Sequence, residues 1–249
     1  MGRIIMSKIA IIIPSRLDAV RLPNKPLKLI NNKEMILHVY EAAKKTGSEV
    51  YVATPDQKII DVINQNKGKA VFTSVDHQTG TDRVYEVFKD HLKSEPNLII
   101  NLQGDMPNIE PQAISNLINY MKEGNCDIGT LASSFSSDDE LADENNVKVA
   151  AKEKLTNGKF SEALDFFRKD SNEYENYYHH VGIYAFTNKA LVRYVSLKRS
   201  KLELERKLEQ LRALENSMSI HVGYINSSPL SVDTKNDLME VRKIMEKSS

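Results

Sequence analysis

Arg16, Arg21 and Lys25 fall within ten residues, directly after an apolar run at 9–13. Arg and Lys in a loop that leaves a buried strand can wrap a polyphosphate, because backbone N–H groups and cationic side chains converge on the anion. Pro23 and Pro26 stiffen the loop. Elsewhere in a chain, three such cations would read as an ordinary solvated loop; their position after the first strand favours phosphate. The loop is not a Walker motif, because Gly-x-x-x-x-Gly-Lys-Ser/Thr is absent, and no Gly-x-Gly-x-x-Gly follows the strand.

Two carboxylates stand at comparable places. Asp105 ends the segment Asn101-Leu102-Gln103-Gly104-Asp105, where Gly104 lets the backbone turn. An Asp there suits a hard cation such as Mg²⁺, or else caps the turn. Asp233 lies in Val232-Asp233-Thr234, just before the last helical pattern. Thr234 alone would cap that helix, leaving Asp233 as a dipole-favoured surface acid or a second metal ligand. Gln78-Thr79-Gly80-Thr81-Asp82-Arg83 is a small-residue turn that can hold a base or ribose, or simply join strand to helix. His179 and His180 point to opposite faces of a strand, so they do not readily share a metal. One faces solvent and the other the interior, with His180 read as a satisfied core histidine.

The elements that must position these residues alternate. Strands are predicted at 9–13, 50–53, 70–73 and 98–102, and helices at 35–46, 56–66, 82–93 and 111–123, with a turn at 31–33. This rhythm predicts an α/β fold with a mostly parallel central sheet and helices on both faces. Ligands of such sheets lie beyond the carboxyl ends of the strands, where 14–25, 54–56, 73–80 and 103–107 fall. From about residue 130 the pattern changes. Strands are expected at 128–133, 147–151, 181–186 and 221–225, with a charged, aromatic insertion at 152–178. Leu204, Leu208, Leu211 and Leu214 predict one amphipathic helix over 203–215, and a last helix spans 235–246. The reading is one domain, 1–249, with a mixed-sheet lobe inserted over about 130–225.

Composition sets bounds. The 249 residues carry 34 Lys and Arg against 34 Asp and Glu, so net charge is zero and nothing favours nucleic acid or an anionic membrane. Cys126 is the single cysteine, which excludes an intrachain disulfide and a Cys-based zinc site. The apolar run at 9–13 is too short to span a bilayer. It runs into Pro14 and Ser15 without a cleavage site, so no signal peptide is expected, and residues 1–7 lack the myristoylation pattern. A cytoplasmic location is expected.

Together the segments resemble the 3-deoxy-manno-octulosonate (Kdo) cytidylyltransferase family. The matching stretches are Ile13-Pro14-Ser15-Arg16, Arg21 to Leu27, Val52-Ala53-Thr54, Thr73-Ser74, Asp76 to Arg83, Asn101 to Asp105, His180 to Tyr184, Leu208 to Glu215 and Val232-Asp233-Thr234. Each is weak alone; their order and separation carry the resemblance. It implies a nucleotide-diphospho-sugar transferase-like fold with a dimerisation lobe, and a homodimer. It implies transfer of CMP from CTP to the anomeric hydroxyl of Kdo or a close analogue, an acidic 3-deoxy sugar, for lipopolysaccharide synthesis. Arg16 and Lys25 would neutralise the triphosphate, and Asp105 and Asp233 would hold Mg²⁺. Pro14, Ser15, Thr54, Ser74, Gly80, Thr81, Arg83 and Gln103 complete the CTP set. Gln103, Arg168, His180, Tyr184, Glu209 and Gln210 would surround the sugar.

Departures cluster on the sugar side. Asp165-Phe166-Phe167-Arg168 stands where the family reads Tyr-Phe-Ser-Arg, and 169–178 is shorter than the family's Pro-rich segment. Met106 replaces a Glu and Ser231 a Gly. An amino-substituted Kdo or another nonulosonic acid is therefore an alternative acceptor. A non-catalytic nucleotide-binding homologue is the alternative of a different class, and a pure scaffold would need none of Arg16, Lys25, Asp105 and Asp233.

Overall fold

The computed structural model describes residues 8–169 and 173–247. The chain start and part of the 169–178 segment lie outside the described residues. The chain forms two compact units: residues up to Ser115 together with Pro229 onward, and Asn116–Ser228.

In the first unit, β1 (Ile9–Pro14) leads to a hairpin of β2 (Leu29–Ile30) and β3 (Lys33–Glu34), then α1 (Met35–Lys44) and β4 (Glu49–Thr54). After these come α2 (Gln57–Gln65), β5 (Ala70–Phe72), α3 (Gly80–Glu86) with a π-helical turn at Val87–His91, and β6 (Leu98–Leu102); α4 (Pro111–Lys122) begins in this unit and passes into the second at Asn116. The strands run in the order β5-β4-β1-β6. Every pairing is parallel, with Ile11 opposite both Val50 and Ile100. Ile11, Ile12 and Ile13 are fully buried, as expected of a strand covered on both faces. The hairpin turns on Asn31 (φ 47°) and Asn32 (φ 59°), left-handed positions that asparagine tolerates best after glycine. Gly47, at φ 77°, ends the α1 region as its sequence position predicts.

A small core joins distant parts of this unit. Leu22, Ile30 and Met35 pack with Val232, Leu238 and Val241. The last three flank or belong to the final helix (Lys235–Lys247). The polar loop after β1 and the segment before that helix are thereby fixed to one apolar floor.

The second unit holds β7 (Ile128–Ser133), α5 (Asp138–Ala142), β8 (Lys148–Ala151), β9 (Phe160–Phe167) and β10 (Tyr177–Thr187). It continues with α6 (Asn188–Ser196), α7 (Lys201–Arg206), α8 (Gln210–Glu215) and β11 (Ile220–Tyr224). Its sheet is mixed. β7 and β11 are parallel, while β10–β7, β11–β9, β9–β8 and β8–β10 are antiparallel. These five pairings close into a ring. The register of β10 shifts between Val181 and Tyr184, a bulge that re-aims the side chains around it.

Three expectations are corrected here. The 152–178 insertion contains β9, hidden because Ser161 and Ala163 face inward while Leu164 is 47% exposed, an inversion of the usual alternation. The helix expected over 203–215 is two helices, broken at Lys207, which adopts φ 55°. Leu204 is exposed and does not extend the buried stripe of Leu208 and Leu211. The strand expected at 181–186 starts four residues earlier, at Tyr177. Among the described residues, no helix is long and apolar enough to cross a membrane.

Candidate active site

The loop after β1 is shaped by its own backbone. Ser15 donates its N–H to the carbonyl of Ala53 (2.9 Å), and Leu17 donates to the Oδ2 of Asp56 (2.9 Å). Asp56 is a positioning acid that the sequence reading took only as a helix start. Asn24 adopts φ 56° and begins a 3-10 turn over Lys25–Leu27, with Pro26 buried. That turn aims Lys25 at two carboxylates. Its Nζ lies 2.9 Å from Oδ2 of Asp105 and 2.9 Å from Oδ1 of Asp233. Burial lowers the affinity of Lys25 for its proton, but Asp105 and then Asp233 outweigh that and raise its pKa, so the ammonium persists.

Asp105 and Asp233 are joined through backbone as well: Val232 donates its N–H to the carbonyl of Asp105 (2.9 Å). The geometry also decides what Asp233 does. Capping falls to its neighbours, since Asp237 Oδ2 accepts from the N–H groups of Asp233 (2.9 Å) and Thr234 (2.8 Å), and Thr234 Oγ1 accepts from Asp237. The Asp233 carboxylate is thereby released from the helix end, and it meets Arg21 (3.1 Å) as well as Lys25. Arg21 was singled out in sequence only as a member of the basic cluster.

Gly104 sits in a tight space. It is absent from the left-handed positions, and a Cβ there would lie 3.1 Å from Ile36 Cδ1 and 3.4 Å from both Ile13 Cγ2 and the Pro14 carbonyl. A side chain there would need Ile36 to give by a few tenths of an ångström.

A cleft of about 280 Å³ opens beside these residues. Pro14, Ser15, Arg16, Lys25, Gly80, Arg83, Gln103 and Asp105, all named from sequence, line it. His77, Thr79 and Ala19 line it too; their segments were flagged or adjacent, but these side chains were not assigned roles. Ser15 Oγ is buried at the cleft without a hydrogen-bond partner among the described residues, an open position for a ligand oxygen. Thr54 and Thr81 lie behind the wall. Thr54 Oγ1 accepts from the Asp56 N–H (3.1 Å), and Thr81 Oγ1 accepts from Asn101 Nδ2 (3.3 Å). Arg83 is buried, and its Nη1 donates to Thr73 Oγ1 (2.5 Å) and the Ser74 carbonyl (2.8 Å). Both Glu86 carboxylate oxygens accept from the Ser74 N–H, and Glu86 also pairs with His77.

Of the residues assigned to the sugar, Arg168, His180, Tyr184, Glu209 and Gln210 belong to the second unit, whereas Gln103 lines the first unit's cleft. His180 is buried, with Nε2 2.9 Å from Thr130 Oγ1 and its ring edge-on to Phe166 at 5.1 Å. The Thr130 hydroxyl is directed at the Ile183 carbonyl (2.8 Å), so its oxygen accepts from Nε2–H and the imidazole keeps its lone pair on Nδ1. Tyr184 lies 5.5 Å from the His180 ring. Burial, and then the charge of Glu209, raise its phenol well above the usual range, so it stays a donor. Tyr194 donates to the Glu209 carbonyl (3.0 Å), and Gln210 beside it is buried. Arg168, just past β9, is half-buried, and its Nη1 donates to the carbonyls of Glu144 and Asn145 (3.1 Å each). Phe167 is buried against Tyr174 (5.6 Å) and Tyr177 (5.9 Å).

Known proteins match over nearly all of this chain. The cytidylyltransferase family model covers residues 10–220. The 3-deoxy-manno-octulosonate cytidylyltransferase of Rickettsia bellii is 43% identical over 242 residues, covering 96% of this chain and 97% of its own. That of Bartonella henselae is 41% identical over 239 residues, covering 94% and 97%. The solved structure of a CMP:2-keto-3-deoxy-manno-octonic acid synthetase complexed with CTP superposes with a TM-score of 0.87 at 35% identity, covering 98% of this chain and all of that one. A cytidylyltransferase from Leptospira borgpetersenii (17% identity, TM-score 0.64, 97% of this chain and 87% of that one) shares the fold. By matched length, identity and agreement with the motifs above, the chain belongs to the cytidylyltransferase family, among the 3-deoxy-manno-octulosonate cytidylyltransferases.

Proposed function

We propose that this chain transfers CMP from CTP to the anomeric hydroxyl of Kdo and releases pyrophosphate. The observation that carries the proposal is the convergence of Asp105 and Asp233 on one point, held by the Lys25 ammonium beside a cleft lined by Arg16, Ser15 and Gln103. The hydroxyl oxygen forms a bond to the α-phosphorus, the bond from that phosphorus to the bridging oxygen of pyrophosphate breaks, and the hydroxyl proton passes to water. No protein nucleophile is needed, so catalysis is positioning and charge stabilisation.

Two hard carboxylates that meet a single cation at 2.9 Å form a donor set suited to Mg²⁺. Asp105 and Asp233 would hold it, and when bound it supplies charge neutralisation at phosphate oxygens and a lowered pKa for a bound hydroxyl. Lys25 and Arg16 neutralise the triphosphate, and the open Ser15 hydroxyl bonds a phosphate oxygen. Gly80 and the 74–83 turn approach cytidine, with Arg83 and Glu86 holding that turn in place. On the sugar side, neutral His180 offers Nδ1 as an acceptor and Tyr184 offers its O–H. Glu209 and Gln210 bond the remaining hydroxyls. Arg168 meets the sugar carboxylate through Nη2 and Nε, the guanidinium edge opposite its two backbone bonds. The 130–225 lobe is proposed to serve sugar binding and homodimer formation, in a cytoplasmic enzyme.

Unmodified Kdo is the acceptor we place first. The ring of Phe167, which replaces a hydroxyl in the family pattern, is taken up by packing on Tyr174 and Tyr177. Pyrophosphate release from CTP, Mg²⁺ and a panel of sugar acids tests this, with Asp105→Ala as control. Release that needs all three components and vanishes in the variant is expected. Turnover confined to an amino-substituted acid would replace Kdo as the acceptor, and absence of CTP binding would end the whole reading.

A further inference from the structure

Four consecutive carbonyls of the 143–146 loop each accept a bond from one of two cations. Lys148 Nζ takes those of Asp143 (2.8 Å) and Asn146 (3.0 Å), and Arg168 Nη1 takes those of Glu144 and Asn145 (3.1 Å each). Lys148 Nζ also donates to the carbonyl of Arg168 itself, at 2.7 Å. The loop has its own brace: Asp143 Oδ1 accepts from the Asn145 N–H and side-chain amide, and Asn146 Nδ2 donates to the Glu140 carbonyl.

Lys148 is fully buried, and an ammonium in that position is costly. An apolar residue would pack β8 more simply, so a role beyond packing is indicated. The geometry supplies one. Opposite Lys148 in the strand register is Phe167, the residue before Arg168. The ammonium binds the Arg168 backbone at one end and the loop that cradles the Arg168 guanidinium at the other. Arg168 is therefore fixed at both its main chain and its head group, and Lys148 is common to both restraints.

We infer that Lys148 is a positioning residue for the sugar acid, acting through Arg168. The inference rests on the proposed role of Arg168 at the sugar carboxylate. It assigns Lys148 no contact with substrate: its ammonium orders the carbonyl cradle so that the guanidinium edge not bonded to the loop is presented in one orientation.

The test is steady-state kinetics on the full chain, with CTP, Mg²⁺ and whichever acid of the panel turns over. Lys148→Met is expected to raise KM for the sugar acid by about tenfold or more, with kcat and the KM for CTP changed by less than about threefold. Arg168→Ala should raise the same KM, and the double variant should be no worse than Arg168→Ala alone, because the two act as one unit. If Arg168→Ala leaves the sugar KM unmoved, the reading of Arg168 is wrong and this inference falls with it. If Arg168→Ala moves it but Lys148→Met does not, or the two effects multiply, the inference alone fails. Equal rises in both KM values would also overturn it. Should Lys148→Met not fold, Lys148→Gln, whose two amide hydrogens cannot serve all three carbonyls, is read by the same criteria. Failure of both to fold would make Lys148 a residue of general stability and overturn the proposal.

Discussion

The ammonium of Lys25 bridges Asp105 and Asp233 at equal distances of 2.9 Å, joining the loop after β1 to the turn after β6 and to the segment before the final helix. On the proposal that Asp105 and Asp233 would hold a divalent cation, Lys25 competes for the same two carboxylates and would turn instead to the triphosphate. Lys25→Met is expected to lower turnover by roughly 10²–10³-fold. The same variant should bind Mn²⁺ more tightly without nucleotide, because the carboxylates have lost their internal counter-ion. A Mn²⁺ titration followed by electron paramagnetic resonance checks this. Equal or weaker affinity in the variant would place the metal elsewhere.

Glu203 is a buried ionic centre of the second unit. Its carboxylate accepts from Arg212 Nε (2.8 Å) and Nη2 (2.6 Å), from Arg199 Nε (3.0 Å) and from the Ser200 N–H (3.1 Å). Burial pushes its pKa up, but the bonds from Arg212 and Arg199 outweigh this and hold it below the usual carboxylate range. Glu203→Gln leaves Arg212 buried without its counter-charge and should cost about 3–5 kcal/mol. A drop in Tm on the order of 10 °C follows. The contribution is complete above the unfolded pKa near ~4.3 and fades as pH falls through the lower folded value. The gap in Tm between wild type and variant should therefore narrow in acid. A gap independent of pH would mean that the charge of Glu203 contributes nothing.

The first unit was largely legible in sequence because its strands are continuous apolar runs ended by polar turns. β6 has the bounds that the residues imply, Leu98–Leu102, and so does β7 of the second unit, Ile128–Ser133. Lys25, Asp105 and Arg16 could be named because their segments sit at strand ends. What stayed hidden was long-range. No local pattern says that Asp237 takes over capping and frees Asp233, or that Arg21 joins Asp233 across the chain. The second unit was less legible for a different reason. β9 carries Ser161 and Ala163 inward and Leu164 outward, so alternation by hydrophobicity fails, and a left-handed Lys207 carries no signal of its own to divide the 203–215 helix.

Cys126 should be inert. It is buried, its Sγ donates to the Ile128 carbonyl (3.2 Å), and burial pushes the thiol pKa up to about 12. Thiolate is the reactive form, so almost none exists in the native state at about pH 8. Ellman's reagent is expected to label no thiol in the folded protein and one after unfolding in guanidinium. Rapid labelling of the native protein would show that this end of β7 opens locally.

His180 gives the sharpest pH test. Burial, and secondarily the nearby charge of His179, depress its pKa from the usual value near ~6.5 to about 3. Between those values the unfolded chain binds a proton that the folded chain refuses, so stability rises with pH across that window. The contribution is complete above about pH 6.5 and is lost progressively as pH falls toward about 3. His180→Gln, which can still donate to Thr130, removes the titration without emptying the site. Denaturant unfolding at several pH values within the window should show a shallower pH slope in the variant than in wild type. Parallel slopes would mean that His180 is protonated inside the fold. In that case Nδ1 would carry a proton, and its assignment as an acceptor for a sugar hydroxyl would fail as well.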